Sequence, residues 1–181
     1  MDWWNRESTV MRKALFLDRD GTVNVEKNYL YKPADFEFVP GILELCRGAQ
    51  SLGYDLVIAT NQSGIARGYY TEEDFQTLTL YMKSQFGRHG ITILDIFHCP
   101  HLQRHEDRKP EPGMFLKAAS QYGIDMASSL SLGDKERDIE AGIRAGIGFN
   151  CLLSRDKTVP TRADAIVASP DELLSIIQSR Q

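Results

Sequence analysis

The segment ALFLDRDGTVN, residues 14–24, decides the fold. Its first half, Ala14–Asp18, is a near-continuous apolar run ending in a carboxylate, which suits a strand of a parallel sheet covered on both faces. Asp18 and Asp20 stand two residues apart, so in extended backbone both side chains face the same side. Gly21 permits the tight turn that such proximity needs. Two close carboxylates repel unless a cation or a shared proton compensates them. The plainer alternative is an acidic turn in which Asp20 caps a helix.

Outward from this strand, short apolar runs alternate with amphipathic ones. Asp55–Thr60, Ile93–Cys99, Leu130–Gly133 and Gly148–Leu153 read as further strands, with Ala165–Val167 a short sixth. Helical spacing marks Gly41–Leu52 through Ile42, Leu45, Ala49 and Leu52. Thr71 with Asp74 three residues on opens a helix to about Phe86. Pro112 leads a helix to Tyr122 that Gly123 closes. Glu136–Ala145 and Pro170–Gln178 complete the set. This alternation predicts an α/β fold with right-handed crossovers and a doubly wound, Rossmann-like parallel sheet. Residues 1–12 read as an N-terminal tail and 13–179 as a single domain.

In such sheets ligands bind outside the carboxyl ends of the strands, and the polar clusters of this chain follow strands. Thr60-Asn61-Gln62-Ser63-Gly64 offers a hydroxyl, amides and backbone N–H groups, a phosphate cradle or equally an Asx or ST turn. Arg108-Lys109 offers a guanidinium fork and an ammonium point charge, or a solvated surface pair. Asp134, just past a strand, can reach a metal held by Asp18. Asp138, one helical turn on, can orient Lys109 or a metal-bound water, or simply favour the helix dipole.

At 181 residues the chain is large enough for one core, and its apolar and charged fractions of 42% and 25% are ordinary for a globular protein. A net charge of -4 argues against general nucleic-acid binding. No apolar stretch approaches the roughly 18 residues of a spanning helix, and MDWWNREST is no signal peptide. Cys46, Cys99 and Cys151 are scattered rather than a disulfide framework. The expectation is a cytoplasmic monomer with neither nucleic-acid nor membrane partners. The pair Trp3/Trp4 reads as part of a tail or a dimer contact, with a role toward substrate as the alternative.

Taken together, DRDGTVN (18–24), TNQSGIARGYYTEEDF (60–75), CPH (99–101), RKPEPGM (108–114) and GDKERD (133–138) resemble the haloacid dehalogenase superfamily. Within it they resemble the branch of heptose 1,7-bisphosphate 7-phosphatases and histidinol-phosphate phosphatases, over about Lys13 to Leu153. The resemblance implies minimal cap loops, with only a flap between Gly21 and Gly41. It implies a Mg2+-dependent phosphomonoester hydrolase with Asp18 as nucleophile and Asp20 as acid and base. Magnesium would be held by Asp18, Asp134 and the Asp20 carbonyl, with Asp138 supporting. Thr60, Asn61 and Lys109 would bind the phosphoryl group, Arg108 would grip a distal part of a small phosphorylated sugar, and Arg67 would serve the flap or the substrate. Heptose bisphosphate is the leading substrate. Histidinol phosphate is the alternative, and a catalytically silent phosphate-binding protein the reading from another class.

One loop departs from the branch. Relatives carry C-x-H, a spacer and C-x-C before RKP, as a structural zinc site. Here Cys99 and His101 keep the first pair, while His105 and Asp107 replace the second across a shortened spacer. Zinc accepts Cys, His and Asp, but two soft thiolates are gone. The expectation is a metal-free loop, with a Cys99/His101/His105/Asp107 zinc site as the alternative.

Overall fold

The computed structural model describes residues 11–180, so Trp3 and Trp4 lie outside the described residues. In chain order the elements are β1 (Lys13–Leu17), α1 (Ile42–Ser51), β2 (Tyr54–Asn61), α2 (Glu72–Arg88), β3 (Ile93–Cys99), α3 (Gly113–Tyr122), β4 (Leu130–Gly133), α4 (Glu136–Arg144), β5 (Phe149–Leu153), β6 (Ala165–Val167) and α5 (Pro170–Ser179). The six strands form one sheet in the order β3-β2-β1-β4-β5-β6, every pair parallel. The chain steps outward from β1 to β3, then returns to the other side of β1. That reversal opens a crevice between the carboxyl ends of β1 and β4.

Period-two alternation on β1 and β2 divides the core between the two faces. Leu15, Leu17, Leu56 and Ile58 pack with Ile42, Leu45 and Ala49 of α1, Met82 and Phe86 of α2, and Leu173 and Ile177 of α5. Ala14, Phe16, Val57 and Ala59 face the other way, onto Met114, Phe115 and Ala118 of α3 and Ala141 of α4. Phe16 and Phe115 meet edge to face at 5.2 Å. With helices on both faces, β1 is buried from Ala14 onward, which is why its sequence is apolar without alternation.

Strand β2 runs one residue further at each end than the apolar run, because Tyr54 pairs with Lys13 and Asn61 with Cys99. The capping box expected at α2 is present, with Thr71 and Asp74 each accepting the other's backbone N–H. Arg12, assigned to the tail, is bound into the domain instead. Its guanidinium forks onto Asp55 at 2.7 and 2.9 Å, and its carbonyl accepts from the Asp125 N–H.

Between β1 and α1 the chain makes the expected flap and no separate cap. Backbone bonds Val25 N–H to Glu37 O and Val39 N–H to Val23 O pin its base. A short 3-10 turn at Pro33–Asp35 was not anticipated. Asn28 and Tyr29 both have positive φ (55° and 70°), a costly backbone for residues with a Cβ and one often found at functional sites. Tyr31 stacks on Tyr70, and Tyr29 meets Tyr69 edge to face.

Candidate active site

Asp18 ends β1 and Asp134 follows β4, so the sheet reversal brings the two carboxylates to one place. Lys109 arrives from the loop before α3, and its ammonium sits behind Asp18. It meets Asp18 Oδ1, Asp138 Oδ1 and the Ala59 carbonyl, each at 2.7 Å. Two hydrogen bonds and one ion pair thereby hold the lysine. Lys109 is 2% exposed and Asp18 8%, so these charges interact with little help from water. Asp138 also accepts the Lys135 N–H through Oδ2 at 3.0 Å, and so caps α4 as well as serving Lys109.

The cluster carries more negative than positive charge. Ligand oxygens of Asp18, Asp134 and Asp138 lie within 4.8 Å of one another around a single buried ammonium. Burial, then the Asp138 charge, push the Asp18 carboxyl up to about 8 against the pull of Lys109, with Asp134 adding to the rise. Burial and Asp138 likewise raise Asp134 above the ordinary carboxyl range, against the pull of Lys135. Burial opposes the Lys109 charge too, but Asp138 and Asp18 outweigh it and hold the ammonium protonated. Asp134 Oδ1 is buried without a hydrogen-bond partner. An orphaned carboxylate oxygen, hard oxygen donors and surplus negative charge together fit a divalent cation such as Mg2+. Gly21 leaves it room: at φ 86°, a Cβ there would fall 2.4 Å from Asp134 Oδ2.

Asp20 points to a different set of partners. Arg19, 1% exposed, grips it through Nε and Nη2 at 2.9–3.1 Å. The Asn24 amide donates to Oδ1 at 3.1 Å, and the Gln62 amide to Oδ2 at 2.9 Å. Gln62 also donates to Thr60 Oγ1 at 2.8 Å and accepts from the Tyr70 hydroxyl. Asn61 exchanges two 3.0 Å hydrogen bonds with the backbone of Lys109, tying the second motif to the third.

Above this floor lies a cavity of about 310 Å³, lined by Asp18, Asp20, Thr60 and Asn61 below and by cationic side chains at its rim. Arg67 and Arg108 are there as expected. Lys135 and Arg137, from the start of α4, join them without having been anticipated, as do Asn28 and Tyr29 of the flap. Lys109 is absent from the lining because Asp18 stands in front of it.

A HAD-hydrolase-like family model matches residues 107–178. The D-glycero-alpha-D-manno-heptose-1,7-bisphosphate 7-phosphatase of Campylobacter jejuni is 52% identical over 145 residues, which are 80% of this chain and 84% of that one. The chain belongs to the heptose-1,7-bisphosphate 7-phosphatase family of haloacid dehalogenase-like hydrolases. A beta-named member from Vibrio cholerae is 41% identical, covering 86% of this chain and 88% of its own. The crystal structure of a D,D-heptose 1,7-bisphosphate phosphatase from B. bronchiseptica, complexed with magnesium and phosphate, superposes with a TM-score of 0.83 at 27% identity. It covers 93% of this chain and 99% of that one.

Of the four residues weighed as zinc ligands, Asp107 has a partner outside the set, while His101, His105 and Asp107 lie against one another. Asp107 is ion-paired to Lys117 of α3, with His105 Nδ1 at 3.8 Å from the same carboxylate. His101 and His105 stack ring on ring at 4.0 Å. Burial raises the Cys99 thiol above its ordinary value. Among the described residues, the group of three acidic, His or Cys ligands that converges is Asp18, Asp134 and Asp138. Lys117 was invisible as a partner in sequence because it lies ten residues from Asp107 and a helix turn decides where it reaches.

Proposed function

We propose that this chain removes the C7 phosphate of D-glycero-D-manno-heptose 1,7-bisphosphate, as a cytoplasmic, monomeric enzyme of lipopolysaccharide-core or nucleotide-heptose synthesis. The family names of its relatives support the substrate class. One observation carries the reading: Asp18, backed by the buried Lys109, floors a cavity that Arg67, Arg108, Lys135 and Arg137 also line. A floor built for one phosphoryl group in a cavity lined by four cations suits a substrate with a second anion.

Asp18 Oδ attacks phosphorus in line as the ester P–O bond breaks, giving an aspartyl-phosphate and splitting hydrolysis into two easier steps. Asp20 protonates the departing sugar oxygen, then takes a proton from the water that attacks phosphorus and frees Asp18. Lys109 orients Asp18 and offsets its charge. Thr60 and the Asn61 segment face the phosphoryl oxygens in the loose transition state. Asp18, Asp134 and the Asp20 carbonyl would hold Mg2+, which when bound screens the phosphoryl charge from the nucleophile. Among the described residues no helix is long and apolar enough to cross a membrane. We propose that the Cys99–Asp107 loop is metal-free, its Lys117–Asp107 ion pair doing the stapling.

Initial rates on both heptose bisphosphate anomers, fructose 1,6-bisphosphate and histidinol phosphate test the reading. Heptose bisphosphate should give the highest kcat/KM, and free phosphate should appear without any added acceptor. A wide margin for histidinol phosphate would overturn the substrate assignment, and turnover by Asp18→Asn would overturn the nucleophile.

A further inference from the structure

Asp20 is wired to the flap by two separate routes. Arg19 spans the first: its Nη2 donates to both Asp20 oxygens and to the Leu30 carbonyl, at 3.0 Å, in the flap itself. Gln62 spans the second. Its amide donates to Asp20 while its carbonyl oxygen accepts from Tyr70, and the Tyr70 ring stacks on Tyr31 of the flap at 5.6 Å. The Tyr70 hydroxyl also fixes which way the Gln62 amide points. Without that donor the amide can rotate and turn its oxygen toward the Asp20 carboxylate. Tyr70 has little freedom of its own, since its ring lies on the Gly64 backbone, where a Cβ would fall 2.2 Å from Cε1. Arg19 and Gln62 are each 1% exposed, so these contacts are made without competition from water.

We infer that Arg19, Gln62 and Tyr70 are positioning residues that couple the Asp20 carboxylate to the flap carrying Asn28 and Tyr29 over the cavity. What lies under the flap then sets the aim of the acid. Substrate that seats Asn28 and Tyr29 holds Leu30 and Tyr31 in place, and through them Arg19 and Tyr70 hold Asp20 toward the departing oxygen. The inference rests on the acid–base role proposed for Asp20.

Leaving-group dependence tests it, because a nitrophenolate departs without a proton whereas a sugar alkoxide needs one. With the full chain and Mg2+, the variants Tyr70→Phe, Gln62→Leu and Tyr31→Leu are assayed on heptose bisphosphate. Each is also followed for the pre-steady-state burst of nitrophenolate from 4-nitrophenyl phosphate. Gln62→Leu should lower kcat on the sugar about ten-fold with KM little changed, against less than about two-fold in the burst, as loss of one charge-assisted hydrogen bond to an acid predicts. Tyr70→Phe should do the same by freeing the Gln62 amide to turn away from Asp20. Tyr31→Leu should move in the same direction by a smaller factor. Asp20→Asn is the control and should show the same dependence more strongly. If it does not, the acid–base role of Asp20 falls. If it does, while Tyr70→Phe and Gln62→Leu slow both substrates equally or slow neither, the coupling is wrong and the acid role stands. Tyr70→Phe loses one oxygen and nothing else, so it tests the coupling even where Gln62→Leu fails to fold.

Discussion

Asp18→Asn should make the metal-free protein more stable while abolishing turnover. In the wild type this carboxyl is pushed up to about 8 by burial and by Asp138, with Asp134 adding to it. An ordinary carboxyl ionises near 3.8, so the folded state must either hold a proton against neutral solvent or bury a surplus charge. At about 1.4 kcal/mol per pH unit, over the roughly three units between that ordinary value and neutrality, the upper bound on the cost is about 4 kcal/mol. Asparagine carries no charge and keeps an acceptor for Lys109, but it gives up the charge-assisted part of the 2.7 Å contact, roughly 2 kcal/mol. A net gain of about 2 kcal/mol remains, and at roughly 2–4 °C per kcal/mol for a chain of this size the Tm rises by about 6 °C. Thermal melts of both proteins in EDTA at neutral pH, with circular dichroism as the probe, measure it. Added Mg2+ should narrow the gap, because the cation relieves the same repulsion in the wild type alone. A variant that melts below the wild type in EDTA would refute the charge surplus, and with it the case that the cluster is built around a cation.

Three further outcomes follow from the same geometry. Lys109→Met removes the buried ammonium shared by Asp18 and Asp138 and should destabilise by about 3–5 kcal/mol, with Asp138→Asn restoring part of it in denaturant titrations. The stabilisation by Mg2+ should grow with pH. Asp18 has a folded-state pKa above its unfolded value, so its favourable contribution is full below the unfolded value and is lost as pH rises through about 8. Melts at low and high pH, with and without Mg2+, check this, and a larger Mg2+ effect in acid would contradict it. Metal analysis of protein purified without chelator should find zinc well below stoichiometric. A stoichiometric signal lost in Cys99→Ser would show that the loop binds metal after all.

Much of this was legible along the chain. Asp18 and Asp134 could be placed because each follows an apolar run short enough to be a buried strand and parallel sheets gather such ends, and Asp138 because it lies one helical turn past Asp134. Thr71 and Asp74 announced α2 because a capping box is a contact between residues three apart. The roles that escaped depend on contacts no local period encodes. Lys109 was read as a phosphate ligand; its place behind Asp18, across 91 residues and against the Ala59 carbonyl, was not foreseen. Lys135 and Arg137 were given no role in sequence, and the fold sets both in the cavity lining.

Arg19 is the sharpest case. An arginine between two aspartates after a buried strand reads as a residue directed to solvent, opposite its neighbours, yet its side chain is among the most buried in the protein. It can be buried because the turn at Gly21 folds Asp20 back onto it and Leu30 supplies a carbonyl, so the guanidinium keeps donors in use with water excluded. Even so, its Nη1 remains buried without a partner. Leaving such a group unmet costs stability, as the crowding of Asp18 by Asp138 and Asp134 does, and both costs fall on the two aspartates proposed for the chemistry. A fold selected for stability alone would fill these positions with neutral residues. That they remain charged, one against a lysine and one against an arginine, is the physical argument that the nucleophile and its acid are held separately, each by its own buried cation.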